Sequence, residues 1–320
     1  MCWSPMVLGT MGVPKMSHDG TADVIASGMT VGEIADLPIG IFDSGLGGLT
    51  VWRVLQQELP QESFVYFGDT AHLPYGERSR EEIFGYVAQI VAWLQAQPVK
   101  LIVMACNTSS ALVLDQIRAC CDVPILGLIL PAAQAAVATG SRIGVIATPA
   151  TARSGAYGRA IRDCSPAGSV LCWQQSCPEF VPLIEMDPMP VERLQQVAQQ
   201  YLNPLLEQTI DTLVYGCTHY PLLADIIRPM LPTTVQIVDP AVALTQAVVQ
   251  ELQLWGLQAP ATAQGEPADS MALTRFFVSG DPSAFAHRAA RWLPYPPQVQ
   301  RVNLPAALRV DPARADSLAG

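Results

Sequence analysis

The chain has 320 residues, half of them apolar and 14% charged, which is enough for one large domain or two ordinary ones with full cores and too apolar for a disordered chain. Its formal charge of −10 is not offset by any basic cluster, which argues against a nucleic-acid surface. The longest charge-free run, Val123 to Ser141, carries two prolines, a Gln and a Thr, and reads as a buried strand followed by a helix and not as a membrane span.

In chain order, residues 1–37 show no clear periodicity and read as a flexible extension; Met29 opens a natural start, and no apolar leader core precedes it. IGIFDSG (39–45) reads as a strand, LGG (46–48) as a turn and Thr50–Leu59 as a helix. The strand SFVYFGD (63–69) and the helix Glu81–Ala96 follow. Leu101–Ala105 is a strand that delivers Cys106, Asn107 and Thr108, with a helix over Ser110–Ala119 and a strand in VPILGL (123–128). A second series begins at IGVIATP (143–149) and continues through SVLCWQQ (169–175) and the helix Val191–Gln208. It ends with TLVYGCTH (212–219) and TVQIVD (234–239). A soft loop spans residues 258–270, and LTRFFV (273–278) is a last strand before a helix with Asp281 as N-cap and Pro282 in its first turn.

The second series repeats the first. Four strand-like runs recur in the same order at a nearly constant spacing, with helical patterns between them. Unbroken apolar runs alternating with helices indicate parallel sheets buried on both faces. The expectation is an α/β protein of two pseudo-symmetric doubly wound domains with the active site in the cleft between them. Residues 38–131 plus 240–305 would form the first domain, 132–239 the second, and 306–320 a tail. Ligands gather at the carboxyl ends of such strands, and there the repeat places Cys106 and Cys217.

Eight cysteines without a CxxC pair or a leader favour free thiols in a reducing cytoplasm. The four histidines form no metal-ligand cluster with them, so no metal is expected. Two equivalent thiols facing one cleft suit inversion of a carbon centre: one thiolate removes a proton from one face and the other thiol delivers a proton to the opposite face. An unperturbed thiol has a pKa of about 8.5, so one of the pair must be helped to ionise. Helix N-termini do this, and both cysteines precede apparent helix starts.

Six ordered motifs carry a specific resemblance: IGIFDSGLGGLTV (39–51), GDTAHLPYGERS (68–79), MACNTSSA (104–111), GVIATPATARSGAY (144–157), FVPLIE (180–185) and GCTHYPLL (216–223). From about Pro38 to Leu304 the chain resembles the cofactor-independent glutamate racemases of the aspartate/glutamate racemase superfamily. The resemblance implies reversible conversion of L- and D-glutamate without pyridoxal phosphate, in the cytoplasm, by a homodimer that feeds peptidoglycan synthesis. It makes Cys106 the base for D-glutamate and Cys217 the base for L-glutamate. It places Asp43 beside the first thiol, His219 beside the second and Glu185 near that histidine, all as catalytic helpers. It assigns Ser44, Tyr75, Gly76, Asn107, Thr108, Thr148 and Thr218, with Asp43 and His219, to substrate binding. Ser109, Ala147 and the segment Leu130-Pro131-Ala132 depart from the family pattern without touching a matched catalytic position.

Plainer readings stand beside these. DSGLGG (43–48) lacks the Lys and Ser/Thr of a phosphate loop and reads as a tight turn. Asp43 could be a helix cap only. Cys120, Cys121, Cys172 and Cys177 read as packing or surface thiols, and His72 and His287 carry no role. The only lysines are Lys15 and Lys100, neither in a Schiff-base setting. Rival functions are a racemase for aspartate or a related acid, a non-catalytic amino-acid-binding protein, and a hydrolase using one cysteine with His219.

Overall fold

The computed structural model describes residues 29–165, 168–260 and 271–304. The extension 1–28, most of the loop 258–270 and the tail 306–320 lie outside them. In chain order the elements are α1 (Val31–Ala35), β1 (Ile39–Asp43), α2 (Gly48–Glu58), β2 (Phe64–Gly68), α3 (Arg80–Ala96), β3 (Leu101–Met104), α4 (Asn107–Leu112), α5 (Leu114–Arg118), β4 (Ile125–Gly127) and α6 (Ile129–Thr139). Then come β5 (Arg142–Ala147), α7 (Pro149–Ser154), α8 (Ala156–Cys164), β6 (Leu171–Ser176), α9 (Phe180–Ile184), α10 (Val191–Glu207), β7 (Thr212–Gly216), α11 (Ala224–Ile227) and β8 (Gln236–Val238). The chain closes with α12 (Pro240–Trp255), β9 (Thr274–Val278), α13 (Pro282–Ala289) and β10 (Val299–Arg301).

Two wholly parallel sheets result. The first runs β10-β9-β2-β1-β3-β4 and the second β6-β5-β7-β8. The order β2-β1-β3-β4 in the first matches β6-β5-β7-β8 in the second, which is the sequence repeat seen in three dimensions. We call the bodies built on these sheets the first and second units. β1, β2, β3 and β7 are buried at every position, as strands covered by helices on both faces must be. One apolar layer packs α2 and α12 under the first sheet around Trp52, Leu55, Leu244 and Val248, and a second packs α3 above it. The second sheet is sandwiched likewise by α10 on one side and α6 and α8 on the other.

Four local expectations change. Within the stretch 1–37, Thr30 and Glu33 form a capping box that starts α1, whose Ile34 and Ala35 are buried. The helix expected over Ser110–Ala119 begins at once after Cys106 and breaks at Val113. The Ser109 and Ser110 hydroxyls donate to the backbone oxygens of Cys106 and Met104, and β-branched Val113 adopts φ −132°. β6 is a half-buried edge strand, not a strand buried on both faces. After Cys217 the chain makes a 3₁₀ turn over Tyr220–Leu223, with Pro221 in its first turn, before the short α11. Only Cys106 therefore stands directly at an α-helix N-terminus.

Candidate active site

β3 and β7 occupy equivalent places in their sheets, and each ends against the cleft with a cysteine: Cys106 is 4% exposed and Cys217 6%. Both line one pocket with Ser44, Tyr75, Gly76, Asn107, Thr108, Thr148, Thr218 and His219. The thiols are near enough for charge on Cys217 to raise the pKa of Cys106. The enclosed free volume is about 40 Å³, room for a few waters and far below the ~300–1,000 Å³ of a typical ligand pocket.

The surroundings of the two thiols differ. On the first side, Asp43 sits beneath the pocket at the end of β1. Its Oδ2 accepts the backbone N–H groups of Gly45 at 3.0 Å and Gly48 at 2.9 Å, while Oδ1 is buried without a partner among the described residues. The carboxylate thus caps α2 with one oxygen and leaves the other free, so capping does not use up the group. Burial raises the Asp43 pKa against the opposing charge of His219 and those N–H groups. Burial, then the Asp43 charge, push the Cys106 thiol up to about 12. The expected help from the N-terminus of α4 is outweighed: burial and a neighbouring carboxylate disfavour the thiolate more than one short helix favours it.

On the second side the order of groups is Cys217, His219, Glu185, Arg288. Cys217 Sγ lies 3.8 Å from His219 Nδ1, and His219 Nε2 lies 2.8 Å from Glu185 Oε1. Glu185 Oε2 accepts from Arg288 Nη1 at 3.3 Å. Burial would neutralise His219, but its hydrogen bonds to Cys217 and Glu185 hold its pKa well above the ordinary imidazole value. The same bond, with the charges of His219 and Arg288, overcomes burial and keeps Glu185 below its ordinary range.

The walls supply neutral donors. The Asn107 Oδ1 accepts from the Tyr157 hydroxyl at 2.6 Å, which leaves Asn107 Nδ2 a buried donor without a partner. Tyr75 donates its hydroxyl to Asp69 at 2.6 Å, so the phenol is already engaged. A Cβ on Gly76 would stand 3.1 Å from Thr148 Cβ, so the glycine keeps the two walls in contact. The hydroxyls of Thr108, Thr148 and Thr151 form a triangle across the cleft with edges of 3.0, 2.9 and 3.3 Å. Thr50 reaches from α2 to the Thr218 carbonyl at 2.9 Å.

Residues 48–248 match the family model described as Asp/Glu/Hydantoin racemase. The chain belongs to this family. A curated glutamate racemase of Nostoc sp. is 54% identical over 276 residues, which is 86% of this chain and 91% of that one. A glutamate racemase isoform of Bacillus anthracis superposes with a TM-score of 0.76 at 36% identity, covering 84% of this chain and 98% of that one. The Francisella tularensis glutamate racemase solved with D-glutamate gives a TM-score of 0.75 at 32% identity and the same coverage.

In this racemase, ten of the twelve residues singled out in the sequence line the pocket, with Asp43 under it and Glu185 behind His219. Sequence reading missed part of the second wall: Cys177, Pro178, Val181 and Pro182 face the pocket beside Pro149. FVPLIE (180–185) held the signal, since a five-residue α9 ending at the cleft exposes one side of Val181-Pro182 to it. Cys177, taken as a packing or surface thiol, is buried at that wall, and burial pushes its thiol pKa up. Also missed were Asp69, a buried carboxylate that holds Tyr75, His72 and Ser279, and Arg288, distant in sequence from every motif.

Proposed function

We propose that the protein interconverts L- and D-glutamate by two-thiol proton transfer at the α-carbon. The observation that carries the reading is the unlike environment of two like thiols at one cleft. Cys217 stands 3.8 Å from the His219 imidazole, which is paired in turn with Glu185, so this side is set to take the α-proton from L-glutamate. Cys106 keeps its proton because burial and Asp43 penalise its charge, so it is set to protonate the opposite face. In the reverse direction Cys106 must ionise, and Asp43, with its raised pKa and free Oδ1, is placed to assist. Asn107 Nδ2, the Ser44, Thr148 and Thr218 hydroxyls and the Tyr75-Gly76 backbone supply donors for the substrate carboxylates. None of these is a cation that would pair with a thiolate.

No pyridoxal is needed in this scheme. Lys100, the one lysine among the described residues, is buried away from the cleft, with its Nζ held by Glu62, the Ala35 carbonyl and the Leu257 carbonyl. A homodimer, a cytoplasmic location and a role in supplying D-glutamate to peptidoglycan and cell-wall biogenesis complete the reading on the strength of the family. No helix among the described residues is long and apolar enough to cross a membrane. Circular dichroism of L-glutamate with exhaustively dialysed protein in plain buffer tests it: the signal should decay to zero as the racemate forms. A stable signal, or decay only after pyridoxal phosphate is added, would overturn the proposal.

A further inference from the structure

Glu185 depends on groups outside itself for its orientation. It caps the five-residue α9 and leads into Met186-Asp187-Pro188, where Met186 is exposed. One oxygen is held by His219; the other is held by Arg288, which comes from α13 behind the first sheet, more than a hundred residues away. Arg288 is half exposed while the Glu185 side chain is 11% exposed, so the carboxylate end of the pair is shielded from water. The same end of α13 touches the loop twice more. Arg291 Nη1 donates to the Met186 carbonyl at 3.0 Å, and His287 Nε2 lies 3.7 Å from Asp187. That last pair is exposed on both sides and worth little. By contrast, Asp43 is held by the backbone of its own loop and needs nothing from the other unit.

We infer that Arg288 is a positioning residue for the Cys217 half of the reaction: it fixes Glu185, and through it His219, so that the imidazolium stands on Cys217 when the two units are docked. The inference rests on the racemisation proposed above. A carboxylate gripped at both oxygens cannot rotate away from the histidine, so loss of one grip loosens the pair. With Arg288 gone, Glu185 can turn to solvent and the Cys217 side weakens, while the Cys106–Asp43 side is untouched.

Rates alone cannot reveal such asymmetry, because enantiomers have equal free energy and kcat/KM must fall equally in both directions. Isotope effects can. For L-glutamate deuterated at Cα the sensitive step is removal by Cys217; for the deuterated D-enantiomer it is removal by Cys106. Arg288→Ala should lower kcat/KM about tenfold, raise the isotope effect on deuterated L-glutamate and lower it on the D-enantiomer. Arg288→Lys should restore much of the rate, Glu185→Gln should give the same skew, and Arg291→Ala, which loosens the loop without touching the carboxylate, should give none. Wild-type kinetics in Arg288→Ala, or slower turnover with both isotope effects unchanged, would overturn the inference and leave Arg288 a structural contact. Absence of racemisation by the unaltered protein would instead overturn the proposed function, and with it the inference, before any variant is made.

Discussion

A Cβ built on Gly47 would collide with His219 Nδ1 and Thr218 Oγ1, although φ at this position is an ordinary −58° that any residue adopts. Gly47→Ala should therefore keep the melting temperature while losing about tenfold or more in kcat, because the methyl displaces the imidazole that faces Cys217. A fall in both would mean that the turn, not the histidine, gives way. The thiols themselves admit a sharper trial. Replacing either cysteine by serine leaves a far weaker acid on that face, so racemisation should drop by about 10²–10⁴. Elimination from β-chloroglutamate, read as released chloride, should survive selectively: from the D-isomer in Cys217→Ser and from the L-isomer in Cys106→Ser. One shared preference would refute the two-base assignment. Glu185→Gln removes a charge that raises the His219 pKa; the imidazolium is then lost at lower pH, so the alkaline limb of kcat/KM should move down in pH, and an unmoved limb would count against the pairing. At this scale the sequence was legible where a motif is contiguous: CNT and GCTH announce their side chains. It misled on protonation, because the high pKa of Cys106 comes from burial and from Asp43, neither of which a cysteine before a helix reveals.

Helices and strands were read best where local and tertiary signals agree. Ser79 and Glu82 form the capping box that starts α3, and its apolar face then packs on the first sheet. They were read worst where hydroxyls compete with the helix, as after Cys106, and where a 3₁₀ turn takes the place of its start, as after Cys217. No local pattern announced the clip made by Lys100 at the start of β3. Its ammonium binds Glu62 at the entry to β2, the Ala35 carbonyl closing α1 and the Leu257 carbonyl just past α12, while Glu62 also accepts from Ala259 N–H. Four segments far apart in sequence meet on one buried pair. Lys100→Met would strand the Glu62 carboxylate and should cost about 3–5 kcal/mol in chemical denaturation, whereas adding Glu62→Leu should recover much of the loss. Equal destabilisation in the single and double variants would show that the carbonyl contacts, not the charge pair, matter.

The free volume between the two units, about 40 Å³, is far below the ~300–1,000 Å³ of a typical ligand pocket, so substrate entry is expected to part the walls. The polar contacts that resist parting include the threonine triangle, the Tyr157–Asn107 and Arg288–Glu185 bonds and the Thr50 bond to the Thr218 carbonyl. Thr50→Val removes that bond, together with the hydroxyl's contact to the Gly47 carbonyl, at nearly constant volume, worth about 1 kcal/mol. Alkylation of buried Cys106 and Cys217, followed by mass spectrometry, should then quicken about fivefold, with partly exposed Cys120 as an unchanged internal reference. Equal rates in both proteins would mean that the units part elsewhere. The internal repeat made the shared strand order foreseeable, since equal spacing of strand, helix and motif leaves few alternatives. The closure was not foreseeable, because it depends on hydroxyl contacts between residues forty or more apart. The strand order also has a consequence during synthesis. β9 pairs directly with β2, yet it follows the whole second unit in the chain. Until residue 274 emerges from the ribosome, β2 presents an unpaired edge with the sequence FVYFG, every residue of which is buried in the finished protein. Such an edge invites pairing with another chain, so a nascent chain stalled in α12 would be a sticky one, and prompt synthesis of β9 protects the strand that leads to Asp69, the carboxylate holding Tyr75.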